Sequence, residues 1–316
     1  MVDERWFHGC SACGKCCNSP PLASLPELLH HQARFIGCLS IRRMRRVRAG
    51  DRLPGARSAD ADDERAWREL ASSLFLPGPL TGEHDFFLFT QAFGYASQPS
   101  CPALEPASGR CRIHDDNKPV TCSVVPLEAT WPDELQGAIL AARHAEADFV
   151  GADCISPTRT TLPLVTRRRE VVSQEARTLL TRRRSDLISE RRIWGDRVAR
   201  LFGPELFARP ERLRDIPEDG ALTLSIVPVL ATLAEVSARS HARIRDYISV
   251  QIELIERTLA EALARKNAAD RADTATLRAF LNANRTLDGQ LARGPLTSSP
   301  VSVEQARSIE QWLSLT

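Results

Sequence analysis

Four cysteines stand within eight residues near the start of the chain, at Cys10, Cys13, Cys16 and Cys17. An ordinary hydrophobic core has no need of thiols at this density. A short glycine-containing loop with thiolates at every third position can turn several sulfurs toward one soft metal centre, while nearby backbone N–H groups face those sulfurs. The spacing therefore predicts a metal site built on thiolates.

Further cysteines in the first half of the chain can supply more ligands. Cys101 precedes a proline, and Cys122 follows Pro119 by three residues, so we expect short turns of chain around them. Cys38 lies outside this pattern in an apolar segment, and we expect it to be a small buried residue. The predicted metal ligands are Cys10, Cys13, Cys16, Cys17, Cys101, Cys111, Cys122 and Cys154.

The spacing also bears on which metal is bound. Three cysteines at two-residue intervals and a remote Cys-Pro are typical of the bacterial ferredoxin arrangement that holds a [4Fe-4S] cluster. Structural zinc favours two separated Cys-x2-4-Cys pairs, and only one such pair is clear here. The sequence favours an iron–sulfur cluster, with zinc as the alternative. The cysteines could fill two four-thiolate sites, or one cluster with the others as redox or substrate-binding groups. We expect His8 and His114 to hydrogen-bond to cluster sulfurs.

Length and composition limit what can surround this site. With 316 residues, of which 43% are hydrophobic, the chain can bury one large core or two smaller ones, and we expect two domains. A formal net charge of +2 argues neither for nor against a nucleic-acid partner. The N-terminus lacks a secretory pattern, and no apolar stretch is long enough to span a membrane. We therefore expect a cytoplasmic protein without a membrane partner, in which the cysteines are thiols or metal ligands and not disulfides.

The elements that hold the cysteines are predicted to be loops and short strands. Residues 86–89 are the best strand candidate, and residues 22–39 fit a helical face. A basic run followed by an acidic patch predicts a charged insertion at about residues 40–72. These features together define a predicted cysteine-rich metal-binding domain at residues 1–160.

Beyond residue 160 the sequence is rich in Ala, Leu, Arg and Glu, which predicts an all-α helical domain at residues 161–316. With the strands predicted in the first half, the whole chain is expected to be of the α+β class. The predicted helices are residues 167–202, 271–291 and 303–313, together with one at about residues 222–239 that is bent or interrupted at Pro228 and either ends at residue 239 or continues to residue 266. We expect Gly203 and Pro204 to end the first helix, and Ser302 to cap the last. The arginine triplets of this half form either a solvated helix face or a surface for an anionic partner. Because no aromatic residues interleave them, nucleic acid is disfavoured, and we expect a protein substrate or partner at the helical domain.

The order of these motifs resembles the CxxCxxCC family, also called the YkgJ family, of zinc- or iron-chelating proteins. The resemblance rests on Cys-x-x-Cys-Gly-x-Cys-Cys, Cys-Pro-x-Leu, Cys-x-Ile, a Pro three residues before a Cys, and a late closing Cys, and it covers residues 10 to about 154. His114 and Lys118 stand where the family usually shows an aromatic residue and an arginine, but neither difference touches a cysteine. The resemblance implies a cysteine-bound cluster more than a named reaction.

A looser resemblance to the flagellin lysine N-methylases implies an enzyme that uses S-adenosylmethionine. The sequence shows neither a Gly-x-Gly loop after a strand nor a radical Cys-x3-Cys-x2-Cys motif, so no catalytic or cofactor-binding residues are assigned. Three hypotheses stay open. The protein is a metal-cluster protein whose cluster is structural or redox-active, a cluster-dependent S-adenosylmethionine enzyme such as a protein lysine N-methylase, or a zinc-binding factor associated with nucleic acid.

Overall fold

The computed structural model of the protein describes residues 4–54, 57–77, 83–98, 100–105, 107–146, 153–158, 160–207, 215–217, 220–294 and 301–314. Helices and antiparallel strands are both present, which confirms the predicted α+β class. The chain forms two compact units that are each assembled from separate segments. Unit 1 is Met1–Ser19, Arg43–Phe87 and Ala103–Ile188, and unit 2 is Pro20–Arg42, Leu88–Pro102 and Ser189–Thr316. The predicted domain boundary at residue 160 separates parts of the chain that would fold independently. Two compact units do not test independent folding, so this boundary stays a prediction.

Eight strands and ten α-helices are present in the described residues. The strands are β1 (Arg5–His8), β2 (Gly37–Arg45), β3 (Leu76–Pro77), β4 (His84–Ala92), β5 (Ile155–Ser156), β6 (Leu164–Arg167), β7 (Glu170–Val171) and β8 (Leu222–Ser225). The helices are α1 (Leu25–His30), α2 (Ala61–Leu74), α3 (Val120–Val124), α4 (Gln136–Ala145), α5 (Gln174–Glu190), α6 (Asp196–Phe207), α7 (Val227–Ala234), α8 (Ala238–Arg265), α9 (Arg271–Leu291) and α10 (Val303–Leu313). A π-helical turn at Arg191–Gly195 joins α5 to α6.

One sheet, with the strand order β5-β1-β6-β7, lies in unit 1 and supports the start of the cysteine-rich loop. β1 is antiparallel to β5, with His8 opposite Ile155, and antiparallel to β6 on its other side. Just beyond β1, the Gly9 N–H donates to the Cys154 carbonyl oxygen at 3.1 Å. The residues that follow β1 and the residue that precedes β5 are therefore neighbours.

The acidic patch within the predicted charged insertion forms the first turn of α2 in unit 1. Asp60 caps this helix by accepting hydrogen bonds from the backbone N–H groups of Asp62 and Asp63 at 3.0 Å each. The Asp63 carboxylate is fully buried and accepts from Arg57 at 2.6 and 3.0 Å and from Arg169 at 2.8 Å. Part of this patch is therefore a buried ion-pair network and not a solvated surface.

The second sheet has the strand order β3-β4-β2-β8. β4 contains the predicted strand at 86–89, which is confirmed. In unit 2, β2 and β8 are antiparallel, with Cys38 opposite Ser225 and Ile41 opposite Leu222. The prediction of helix from about residue 222 was wrong, because Leu222–Ser225 completes the backbone hydrogen bonding of β2. Pro228 lies in the first turn of α7, where its missing N–H leaves no helix bond unmade, so it starts that helix and does not bend a longer one.

The C-terminal helices agree closely with the sequence in other respects. α9 and α10 have the predicted bounds, and the Ser302 hydroxyl accepts from the Gln305 N–H at 3.1 Å as the cap of α10. A buried cluster in unit 2 joins α8 to α9, with Ile255 from α8 and Leu277 and Phe280 from α9. The helix expected to end at residue 202 instead continues through Gly203 and Pro204 to the end of α6, about one turn further.

The start of that predicted helix was also wrong. Residues 164–171 form the two strands β6 and β7, and α5 begins only at Gln174. Arg168, in the middle of the first arginine triplet, adopts a left-handed conformation with φ 53°, which makes the triplet a tight turn between strands. With β6, β7 and β8 inside it, the second half of the chain is not all-α as predicted.

Candidate metal centre

The cysteine loop, residues 10–17, follows β1 in unit 1. Ala12 and Gly14 both lie in the left-handed region, with φ 54° and φ 74°. The Ala12 N–H donates to the Cys10 Sγ at 3.4 Å, and the Cys17 N–H closes a turn by donating to the Gly14 carbonyl oxygen at 2.9 Å. The local sequence thus gives a tight loop with a backbone N–H near the Cys10 sulfur.

All nine cysteines lie within the described residues, and none of them forms a disulfide. In the cysteine loop, Cys10, Cys13 and Cys16 are exposed, whereas Cys17 is half-buried. The others are more enclosed: Cys111, Cys122 and Cys154 are half-buried, and Cys38 and Cys101 are buried. Thiols therefore stand at the surface of unit 1, where a soft metal can reach them.

Cys154 lies close to the cysteine loop, although it is distant in sequence. Burial and, after it, electrostatic repulsion from Cys13, Cys16 and Cys10 together raise the pKa of its thiol to about 11. The hydrogen bond from the Gly9 N–H to the Cys154 carbonyl oxygen, at 3.1 Å, places Cys154 beside the start of the cysteine loop. We call Cys10, Cys13, Cys16 and Cys154 the four-thiol group.

Cys16 has the most perturbed environment in this loop. A hydrogen bond from the Cys17 thiol is the largest cause that lowers the Cys16 pKa, to about 6. Neighbouring chain partly desolvates the sulfur and opposes this effect, while the positive charges of Lys118 and Arg143 add to it. Cys16 is therefore largely a thiolate at neutral pH, which is the form that binds metals.

A hairpin at residues 103–112 carries Cys111 and packs against the cysteine loop. Cys111 pairs with Leu104 in an antiparallel bridge, and the Arg112 N–H donates to the Ala103 carbonyl oxygen at 2.8 Å. Gly14 is in close contact with this hairpin, because a Cβ atom at Gly14 would collide with the Gly109 carbonyl oxygen and lie 3.2 Å from Leu104 Cδ1. The hairpin therefore supports the turn between Cys13 and Cys16.

Cys122 lies on the short helix α3, which Lys118 and Pro119 precede. Its N–H donates to the Pro119 carbonyl oxygen at 2.8 Å. The chain after α3 is held by Arg184, which donates to the Ala129 and Trp131 carbonyl oxygens at 3.1 and 2.7 Å. Since the charge of Lys118 acts on Cys16, the segment leading into α3 passes near the four-thiol group.

Two cysteines belong to unit 2. Cys101, a predicted ligand, is buried there. Cys38 belongs to the apolar cluster of unit 2, and its thiol donates to the Gln91 carbonyl oxygen at 3.4 Å. Burial raises the pKa of Cys38 to about 12. This confirms the expectation that Cys38 is a small buried residue.

The four-thiol group does not form a coordination shell in this structure. Within the residues that the structure describes, no three His, Cys, Asp or Glu side chains are already arranged around a single ion. The donor set nevertheless suits a thiophilic centre, since exposed cysteine side chains can rotate about χ1 and sulfur is the preferred ligand of iron–sulfur clusters and a common one of zinc. The residues therefore fit a cysteine-bound metal group in number and in chemistry.

Sequence reasoning missed the cations beside Cys16. The chain contains only three lysines, and two of them, Lys15 and Lys118, lie near predicted ligand cysteines in sequence, which is a signal that could have been used. Arg143 lies on α4 and carries no such signal. Of the arginine triplets, Arg169 pairs with Asp63, and Arg184 pairs with Asp133 at 2.7 Å, so both support the fold of unit 1.

Comparisons with family models, with curated proteins and with solved structures gave no match for this chain. The resemblance to the CxxCxxCC family therefore stays a prediction. Among the described helices, none combines the length and the apolar character needed to cross a membrane.

Proposed function

We propose that this protein binds an iron–sulfur cluster of the [4Fe-4S] type through the four-thiol group. The proximity of Cys154 to the cysteine loop is the observation that carries this proposal. It adds one remote thiol to three closely spaced ones and makes up the four thiolates that such a cluster takes. The cluster would serve a structural or a redox role.

Zinc is the main competitor, because four thiolates also suit a structural zinc ion. Structural zinc sites usually divide their ligands between two separated pairs, whereas here three of the four thiols come from one loop. That three-to-one division is the one found in ferredoxin-type cluster sites. The proposal includes a cytoplasmic location, since a reducing compartment keeps unligated cysteines as thiols.

Metal analysis of the protein tests the proposal directly. Protein purified without oxygen should be brown, and it should contain about four iron atoms and about four acid-labile sulfides per chain. Zinc should be present only in trace amounts. Stoichiometric zinc without sulfide would instead establish a zinc site on the same thiols and overturn the cluster.

Serine variants test whether the remote thiol belongs to the site. Cys154→Ser should lose most of the iron, as Cys13→Ser should, because each change removes one of the four proposed thiolate ligands. Cys38→Ser is the matched control, since this thiol is buried in the core of unit 2, and it should keep its iron. Full iron content in Cys154→Ser would show that the four-thiol group is not the ligand set.

A further inference from the structure

A hollow of about 640 Å³ lies along the outer side of α5 in unit 1. The described residues that line it all belong to this helix, between Gln174 and Asp186. Its volume falls within the range of about 300–1,000 Å³ that small-molecule sites occupy. No cysteine is among the described lining residues, so the hollow is separate from the proposed metal centre.

A stripe of exposed hydroxyl groups runs along this hollow. Thr178, Thr181 and Ser185 are spaced by three and then four residues, so the 3.6-residue turn of α5 places them on one face. The Thr178 hydroxyl donates to the Gln174 carbonyl oxygen at 2.9 Å, as threonines in helices commonly do. The hydroxyls of Thr181 and Ser185 have no such partner among the described residues, so both can donate to a ligand.

Two exposed arginines flank the hydroxyl stripe, with Arg177 on one side of it and Arg182 on the other. Arg177 Nη2 donates to Gln174 Oε1 at 2.9 Å, which leaves its remaining N–H groups available. Arg182 makes neither a hydrogen bond nor an ion pair within the part of the chain that the structure describes. The two residues are about 7.5 Å apart along the helix axis, and their long side chains can close around one anion.

The other arginines of α5 do not line this hollow. Arg183 is buried, and Arg184 pairs with Asp133 at 2.7 Å. The exposed positive charge of α5 is therefore concentrated at the hydroxyl stripe. Asp186 ends the hollow, and its carboxylate would repel an anion there. An anionic group is therefore expected between the two flanking arginines.

We propose that this hollow is a binding site for a phosphate group. Guanidinium groups donate paired hydrogen bonds to carboxylate and phosphate oxygens. A carboxylate offers only two acceptor oxygens, whereas the phosphate of an ester offers three. The hydroxyls of Thr181 and Ser185 supply donors beyond those that two oxygens need, so the donor set favours phosphate. The volume also leaves room for the rest of a small phosphorylated molecule.

Isothermal titration calorimetry of the full-length protein tests this site, with inorganic phosphate, glycerol 3-phosphate and acetate as probes at one ionic strength. Both phosphate compounds should bind, and acetate should bind more weakly than either. Tighter binding of glycerol 3-phosphate would support a phosphate ester as the ligand, and tighter binding of inorganic phosphate would support the free ion. Acetate that binds as tightly as the phosphate compounds, or the absence of phosphate binding, would overturn the inference.

Three variants locate the binding in the hollow. Arg182→Gln should weaken phosphate binding about tenfold or more, because it removes a charged donor. Thr181→Val keeps the shape of the side chain without its hydroxyl and should weaken binding about threefold. Arg68→Gln is the matched control, since Arg68 is exposed on α2 of unit 1 and lies outside the hollow, and it should leave the affinity unchanged.

Each variant changes an exposed side chain, so each should keep the melting temperature of the unmodified protein. Equal affinity in Arg182→Gln and the unmodified protein would overturn the inference. Equal weakening by Arg182→Gln and Arg68→Gln would also overturn it, because it would show general electrostatic attraction. If Arg182→Gln lowers the melting temperature, Thr181→Val decides, since an unchanged affinity there refutes the site and a weakened one supports it.

Discussion

Replacement of Gly14 by alanine should damage the cysteine loop more than the same replacement at Gly109. Both glycines lie in the left-handed region, with φ 74° and φ 66°. At Gly14 the new methyl group would also collide with the Gly109 carbonyl oxygen. At Gly109 it would meet only the Cys13 carbonyl oxygen, at 3.9 Å, which is an ordinary contact. The two variants thus share a backbone cost and differ in a packing cost.

The backbone cost of an alanine in the left-handed region is about 1–2 kcal/mol. The collision at Gly14 lies well inside the 3.0 Å that real Cβ atoms almost never cross, and it involves backbone on the other side, so a side-chain rotation cannot relieve it. Forcing extra atoms into a packed site typically costs about 1–3 kcal/mol. We therefore expect Gly109→Ala to lower the free energy of unfolding by about 1–2 kcal/mol and Gly14→Ala by about 2–5 kcal/mol.

Urea unfolding of the two variants, with metal content measured in parallel, checks this expectation. Gly14→Ala should also bind less metal, because the hairpin can no longer support the turn between Cys13 and Cys16. Gly109→Ala should bind nearly as much as the unmodified protein. Equal loss of stability and equal metal content in both variants would refute the contact between the loop and the 103–112 hairpin.

Two further predictions concern the ion-pair network at the start of α2. Asp63→Asn should lower the free energy of unfolding by about 3 kcal/mol, the low end for breaking a buried pair, because Arg57 and Arg169 are each about one-third exposed and can turn to water. The control is Asp62→Asn, which changes an exposed carboxylate next in sequence and should lower the free energy of unfolding by less than about 1 kcal/mol. Urea unfolding measures both variants, and equal losses of stability would contradict the buried network. The Asp63 N–H and then the Arg169 guanidinium lower the pKa of Asp60 from 3.8 to about 2. As the pH falls, the Asp60 carboxylate is protonated in the unfolded chain before it is protonated in the folded protein. The stabilisation from Asp60 is therefore present above about pH 4 and is lost toward pH 2. Asp60→Asn should reduce the dependence of the free energy of unfolding on pH between about pH 4 and pH 2. An unchanged dependence would show that Asp60 is not the carboxylate responsible.

The parts of the fold that the sequence predicted well are those set by local patterns. α9 and α10 carry long apolar repeats of helical period, and Ser302 marks the start of α10 with a capping side chain. The strand β8 was missed because Leu222–Ser225 is short and bonds to β2, whose residues are far away in sequence. Its strand character comes from this pairing, which a local window cannot detect.

The candidate site divides in the same way. The spacing of the cysteine loop is local, and the turn that it predicts is present. The approach of Cys154 depends on pairing between β1 and β5, and β5 has only two residues, too few for any periodic signal. The contact between Gly14 and Gly109 depends on the backbone conformation at both positions. The residue types at these positions do not predict that the two segments meet. Sequence could therefore name candidate ligands but could not divide them into groups.

The remote position of Cys154 gives the proposed metal group an importance for folding that a local site would lack. A centre held only by the cysteine loop would cross-link a few residues, and by the chain-entropy relation such a short loop is worth about 2 kcal/mol. A centre that includes Cys154 also cross-links a loop of well over 100 residues, for which the same relation gives about 5 kcal/mol. The Gly9 to Cys154 hydrogen bond already joins the two ends in the folded state, so the cross-link would require little rearrangement there. Most of the conformational entropy that ligation removes from the unfolded chain would therefore be removed through Cys154, whatever the metal.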